Sequence, residues 1–170
     1  PHDSDAKWDA IAAPVMLSWG TTDVRYTKHD VPQVKRTDSW KGAAWRGERV
    51  NAQAVLWTKA DLKDVKVTLS DLRSAKNVIP SKALKTNFVR YVMTDELNKD
   101  GKGGCGCREN KAEWDSSLVA DVLDINATLP VKRNSAQPIW VNVSVPRDAA
   151  PGVYDGTFTV TADGMAAPQT

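Results

Sequence analysis

The chain has 170 residues and a mass of 18.6 kDa, which is room for one ordinary domain. Its net charge of +2 is too small to indicate binding to nucleic acid or to an anionic membrane surface. No apolar run approaches the roughly 18 residues that a membrane-spanning helix requires. The chain holds 7 Trp against 2 Phe, and 19 Val against 10 Leu. The Val excess favours strands over helices, and the Trp excess indicates either a sugar-binding surface or a Trp-rich core.

Alternation of apolar and polar residues with a period of two dominates the chain and predicts β-strands. In chain order, the predicted strands cover residues 14–19, 23–26, 51–58, 65–70, 89–94, 118–125, 139–145 and 154–162. Residues 51–58 are apolar on both faces towards their end, as expected of a central strand. The pattern predicts an all-β fold: a β-sandwich of about eight antiparallel strands, either jelly-roll-like or immunoglobulin-like.

The two ends of the chain suggest a domain taken from a longer protein. The last predicted strand is followed by a turn at Asp163-Gly164, after which a partner strand is expected, yet the chain ends at Thr170. We therefore expect residues 1–170 to form a single β-sandwich that is truncated near its C-terminal boundary. Because the chain begins at Pro1 and not at Met, we expect a secreted, periplasmic or cell-surface protein whose signal peptide has been removed.

The only two cysteines, Cys105 and Cys107, flank Gly106. A zinc site needs about four ligands, and His2 and His29 are too far away in sequence to complete one. A disulfide across a single residue is a strained ring that Gly106 makes sterically feasible, while free thiols are the alternative that the spacing favours. No metal or other cofactor is expected.

Catalytic motifs are missing from the sequence. It contains no G-x-S-x-G, no P-loop and no dinucleotide-binding fingerprint. Asp95-Glu96 is a carboxylate pair, but adjacent strand residues point to opposite faces and no other catalytic group accompanies them. We therefore expect this segment not to be an enzyme by itself.

The tryptophans are the strongest candidates for contacts with a glycan or with another domain. An indole face stacks on the apolar face of a pyranose ring, and Trp also fills sandwich cores and domain interfaces. Trp140 alternates onto the polar side of its strand, together with Asn142 and Ser144. The candidate residues are Trp40, Trp45, Trp57 and Trp140. Both interpretations remain open at this point, and core or interdomain packing is the favoured one.

Several segments, read in order, resemble the N-terminal β-sandwich domain of glycoside hydrolase family 123 proteins. They are WRGERVNAQAVLW (45–57), VKVTLSDL (65–72), FVRYV (88–92), ADVLD (120–124), QPIWV (137–141) and VPRDAAPGVYDGT (145–157). The likeness extends from about residue 45 to residue 162. The W-x-G-E and P-x-D-A-x-P-G-x-Y-x-G-T motifs carry most of its specificity.

The resemblance implies an accessory domain. Members of this family are similar to β-N-acetylgalactosaminidases, in which a (β/α)8 barrel with a tandem Asp-Glu follows the sandwich. That barrel would lie beyond Thr170, so no catalytic residue of the family maps onto this chain. We therefore expect a non-catalytic N-terminal domain of a secreted bacterial glycoside-hydrolase-like protein, with the downstream catalytic domain as its partner. Two alternatives remain: a stand-alone carbohydrate-binding module whose partner is a glycan, and an adhesion or structural sandwich that binds a protein.

Overall fold

Two antiparallel β-sheets face each other in the computed structural model, which describes residues 5–94 and 117–170. In those ranges the strands are β1 (Val15–Gly20), β2 (Arg49–Thr58), β3 (Leu62–Leu69), β4 (Leu72–Arg73), β5 (Val78–Ile79), β6 (Leu84–Thr94), β7 (Ser117–Leu123), β8 (Thr128–Val131), β9 (Ser135–Ser144) and β10 (Phe158–Asp163). A five-residue helix, α1 (Asp5–Asp9), precedes them, and a 3-10 turn (Ser81–Ala83) leads into β6.

The larger sheet has five strands in the order β1-β2-β9-β6-β7, and the smaller has three in the order β10-β3-β8. β4 and β5 form a separate two-stranded ribbon. The main core lies between the two larger sheets, because its buried side chains come from both. Examples are Leu56 and Ile139 from the large sheet and Val65 and Val160 from the small one, all fully buried. The predicted all-β class is confirmed.

β2 is the central strand that its sequence predicts, since both of its faces are covered. Ala54 and Leu56 point into the main core, whereas Val55 and Trp57 point to the opposite face of the large sheet. A second apolar cluster covers that opposite face. Its buried members are Trp8, Met16, Tyr26, Val55, Trp57 and Ala136. The structure therefore has a third layer, made by α1 and the segment that follows β1.

The predicted strand at residues 23–26 is wrong. This segment has no strand pairing and crosses the outside of the large sheet, where Tyr26 is buried in the second cluster. The Tyr26 hydroxyl accepts a hydrogen bond from the backbone N–H of Thr21, 3.2 Å away. The ring closes against Gly20, where a Cβ would collide with it. Burial of one aromatic ring therefore sets the path of this segment.

Other strands also differ from the sequence-based prediction. β6 begins at Leu84, five residues before the predicted start, and β8 was not predicted because Pro130 interrupts its pattern. The last strand begins at Phe158, since Asp155 pairs instead with Arg73 of β4. At Gly156 a Cβ would lie 2.6 Å from a methyl carbon of Leu72, so only Gly allows this close approach.

β9 and β10 lie in different sheets, so the Pro-Gly-containing connection between them is a corner of the sandwich. After β10 the chain reverses at Gly164, whose φ of 95° is in the region that favours glycine. Gln169 then forms an antiparallel bridge with Val160. The turn predicted at Asp163-Gly164 is therefore present. The candidate pair Cys105 and Cys107, and the carboxylates Asp95 and Glu96, lie outside the described residues.

Candidate interaction surfaces

A tight turn presents Trp45 to solvent, with 84% of the residue exposed. The turn consists of residues 45–48 and is called here the Trp45 turn. The N–H of Glu48 donates to the carbonyl of Trp45 at 3.1 Å, and Gly47 has a φ of 78°, as the third position of a type II turn requires. The Glu48 carboxylate accepts from the N–H of Trp45 at 2.6 Å. The W-x-G-E motif therefore encodes a rigid turn with an outward indole.

The Trp45 turn is joined to the end of β9. The N–H of Gly47 donates to the carbonyl of Val145 at 3.0 Å, and the N–H of Val145 donates to the carbonyl of Glu48 at 2.8 Å. Every residue from 41 to 49 is nevertheless exposed. The exposed indole thus lies on a backbone turn that is hydrogen-bonded to the sandwich.

Two of the four candidate tryptophans pack inside the domain. Trp57 is 4% exposed in the second cluster, so its ring is not accessible to a glycan or to another domain. Trp40 is partly buried against the main core, with its ring centroid 6.2 Å from that of Trp19. Trp19 in turn lies 5.1 Å from Phe158, which belongs to the other sheet. Trp40 and Trp19 therefore close one edge of the sandwich.

Trp140 lies on the outer face of the large sheet among carboxamide side chains. Its Nε1 donates to Oδ1 of Asn51 at 3.2 Å, and the same oxygen accepts from Nδ2 of Asn142 at 2.7 Å. Asn87 of β6 is directly opposite Trp140, and Lys85 is opposite Asn142. We call Asn51, Lys85, Asn87, Trp140 and Asn142 the Trp140 face. The third layer does not extend over it.

A short turn of the third layer ends beside the Trp140 face. Gln53 is opposite Trp140 on β2, and its Nε2 donates to the carbonyls of Thr21 at 2.7 Å and Val24 at 3.0 Å. Farther along the same sheet face, the buried hydroxyl of Tyr91 lies 2.9 Å from the carbonyl of Tyr26 and 3.1 Å from that of Ala136. Burial raises the pKa of this hydroxyl well above its usual range, so it stays a hydrogen-bond donor. These contacts hold the third layer in place.

Asp124 connects the end of β7 to β6 and so supports the Trp140 face from one side. Its Oδ2 accepts from Nε and from a terminal nitrogen of Arg90, each at 3.0 Å, while Oδ1 accepts from the N–H of Asn126 at 3.0 Å. The hydrogen bond from Arg90 is the largest cause that holds the pKa of Asp124 below its usual value. The Asp124 carbonyl accepts from Nδ2 of Asn87 at 2.8 Å, which orients that carboxamide.

No group of three or more His, Cys, Asp or Glu side chains in residues 5–94 and 117–170 is arranged to hold a metal ion. A cleft of about 300 Å³ opens between the two larger sheets, and its lining includes Lys66, Asn87 and Asn126. Within the same described ranges, the structure contains no helix with the length and apolar character needed to cross a membrane.

The carboxamide cluster around Trp140 was only partly visible in the sequence. Strand alternation placed Asn142 on the same face as Trp140, and the structure agrees. Asn51 and Asn87 could be joined to this face only by the register of β2, β9 and β6, which no local pattern reveals. Local sequence pattern could not identify Asp124 as a supporting residue, because its contacts with Arg90 and Asn87 span 34 and 37 residues of sequence.

The architecture defines the class of this protein as a β-sandwich domain with an exposed Trp on a turn and a partly exposed Trp on the outer face of its larger sheet. The model of the family described as "Glycoside hydrolase 123 N-terminal domain" matches residues 19–162. The chain therefore belongs to the family of glycoside hydrolase 123 N-terminal domains. The resemblance inferred from the ordered motifs is confirmed.

The fold is also similar to that of a solved enzyme, a family 123 glycoside hydrolase from Clostridium perfringens described as hydrolysing glycolipid glycans. The TM-score is 0.79 at 23% sequence identity, and the match covers 92% of this chain. It covers 26% of the enzyme's chain, so the present chain corresponds to about a quarter of that protein. At this identity the likeness shows the fold alone. No curated protein matches the chain.

Proposed function

We propose that the chain is the non-catalytic N-terminal domain of a secreted bacterial glycoside hydrolase, and that it supports a (β/α)8 catalytic barrel in the same polypeptide. Its membership of the family and its match to only part of a longer enzyme support this proposal. The substrate class of the whole protein would be glycans that contain N-acetylgalactosamine. This follows from the family resemblance and from the glycolipid glycans named for the Clostridium enzyme.

The observation that carries the proposal is the exposure of Trp45 on a rigid turn. An indole that is 84% exposed leaves a large apolar surface in water. Because the backbone of the turn is held by hydrogen bonds to β9 and by the Glu48 carboxylate, little backbone entropy is lost when the indole is buried. Trp side chains are enriched at energetically important interface positions.

The first test is the coding sequence that follows Thr170. A reading frame long enough for a (β/α)8 barrel, about 250 residues, supports the proposal. A stop codon immediately after Thr170 would overturn it, because the chain would then have no catalytic domain to support.

The second test places a charge at Trp45 in the full-length protein. The Trp45→Glu variant should lower the melting temperature and the hydrolysis of a chromogenic N-acetyl-β-galactosaminide, since it would place a carboxylate in an apolar interface. The matched control is Met93→Glu, which changes a residue that is 63% exposed at the opposite end of the same sheet. Equal effects of the two substitutions, or no effect of either, would contradict docking through the Trp45 turn.

A further inference from the structure

We propose that the Trp140 face is a binding site for a pyranose ring of a glycan. Its residues are distinct from those of the Trp45 turn, and the proposal does not depend on whether a catalytic barrel packs against the domain. Three properties of the face support it: an indole held by a hydrogen bond, polar atoms of defined type, and a composition unlike that of a protein interface core.

The indole of Trp140 is held in one orientation before any ligand arrives. Trp140 is on β9, which pairs with β2 on one side and β6 on the other, so its backbone is fixed from both directions. The Nε1 hydrogen bond to Asn51 fixes the rotation of the ring. A partly exposed aromatic ring of fixed orientation stacks on the C–H-rich face of a pyranose with little loss of side-chain entropy.

The surrounding polar groups present atoms that match pairs of sugar hydroxyls. Oδ1 of Asn51 already accepts two hydrogen bonds, so its Nδ2 is directed towards other partners. Nδ2 of Asn87 is used by the Asp124 carbonyl, which leaves Oδ1 of Asn87 as an acceptor. The exposed ammonium group of Lys85 adds a further donor. A few polar groups of fixed orientation around an aromatic surface are typical of small-ligand sites.

The composition of the Trp140 face favours a glycan over a protein domain as its occupant. Its other four members are three Asn residues and one Lys, whereas the cores of protein interfaces are apolar and depleted in charge. The turn at Thr21–Val24 is held by Gln53, whose backbone is opposite Trp140 on the neighbouring strand.

The test uses the 170-residue chain and an array of immobilised plant, bacterial and animal oligosaccharides, followed by calorimetric titration with each oligosaccharide that binds. The Trp140→Ala variant should weaken the titrated affinity at least tenfold, and Lys85→Ala should weaken it about threefold. Met93→Ala is the control, because it removes an exposed apolar side chain from β6 at the end of the large sheet away from Asn87. Its affinity should stay within twofold of that of the unaltered chain.

Circular dichroism and urea denaturation establish that each variant is folded. If Trp140→Ala is unfolded, Trp140→Phe replaces it, since Phe keeps a stacking surface but loses the Nε1 hydrogen bond; its affinity should fall by a smaller factor. Absence of binding anywhere on the array would overturn the proposal. So would glycan binding that survives in both folded Trp140 and Lys85 variants or is lost in Met93→Ala, because the sugar would then lie elsewhere.

Discussion

Trp45 and Trp57 differ by only 12 positions in sequence, yet one is 84% exposed and the other 4% exposed. Residue type alone therefore does not determine the role of a tryptophan in this domain. Trp57 is buried because α1 and the segment after β1 cover its face of the sheet. Trp45 is exposed because Gly47 and Glu48 turn the chain just before β2 begins. The surrounding backbone decides which indole is available to a partner.

Asp124 is the residue whose charge should make the stability of the domain depend on pH. Its pKa is held below its usual value by Arg90 and by the N–H of Asn126. A lowered folded-state pKa means that the contribution to stability is present above the unfolded-state pKa, about 3.9, and is lost as pH falls through the folded-state pKa. The Asp124→Asn variant should therefore be less stable than the unaltered chain at pH 6, and the difference should shrink below about pH 4.

The measurement is the urea midpoint of both proteins at several pH values from 3 to 7. Asp121→Asn is the matched control, since Asp121 forms a wider ion pair with Arg25 at 3.7 Å and both of those side chains are more than half exposed. Exposed pairs of this kind contribute about 0–1 kcal/mol, so the control should lose less stability at pH 6. If the difference in urea midpoint between Asp124→Asn and the unaltered chain does not change with pH, the role given to the Asp124 carboxylate is contradicted.

At the scale of elements, the Trp45 turn depends on a single glycine. Gly47 has a φ of 78°, and a Cβ there would lie 3.2 Å from Cγ of Arg147. The Gly47→Ala substitution should reduce the free energy of unfolding by about 1–2 kcal/mol, because the left-handed conformation is costly for a residue with a Cβ. Gly47→Asn should lose less, since Asn tolerates this conformation better. Urea denaturation measures both variants. Equal stability of Gly47→Ala and the unaltered chain would contradict the left-handed conformation assigned to Gly47.

Strand alternation predicted some elements well and others poorly, and the difference has a physical cause. β1, β2 and β9 were predicted because the fold buries much of each strand and their side chains are correspondingly apolar. The first half of β6 was missed although Thr86 and Phe88 alternate with Lys85 and Asn87, because that alternation is weak in hydrophobicity. The false strand at residues 23–26 shows the reverse error: Tyr26 covers a sheet while Val24 is exposed, and local pattern does not distinguish covering a sheet from joining one.

At the scale of the whole molecule, the sequence predicted the sandwich and the family but not the third layer. That layer depends on α1, a helix of five residues whose sequence has no helical period to recognise. It also depends on contacts between distant segments, such as the hydrogen bond from Nε1 of Trp8 to the carbonyl of His29 at 3.2 Å. The Trp140 face shares this limit, since it depends on the long-range pairing of β9 with β2 and β6, which no local pattern reveals.

Trp8 is the centre of the third layer, and its removal should test how much that layer stabilises the domain. The residue is 1% exposed and packs in the second cluster with Met16, Val55 and Trp57. The Trp8→Ala substitution should lower the free energy of unfolding by about 3–5 kcal/mol, a large part of the roughly 5–15 kcal/mol that a domain has. Trp45→Ala, which removes the same side chain from a solvent-exposed position, should change it by less than about 0.5 kcal/mol. Urea denaturation followed by far-ultraviolet circular dichroism measures the free energy of unfolding of both variants. If Trp8→Ala lowers it by less than about 1 kcal/mol, the two main sheets are stable without the third layer.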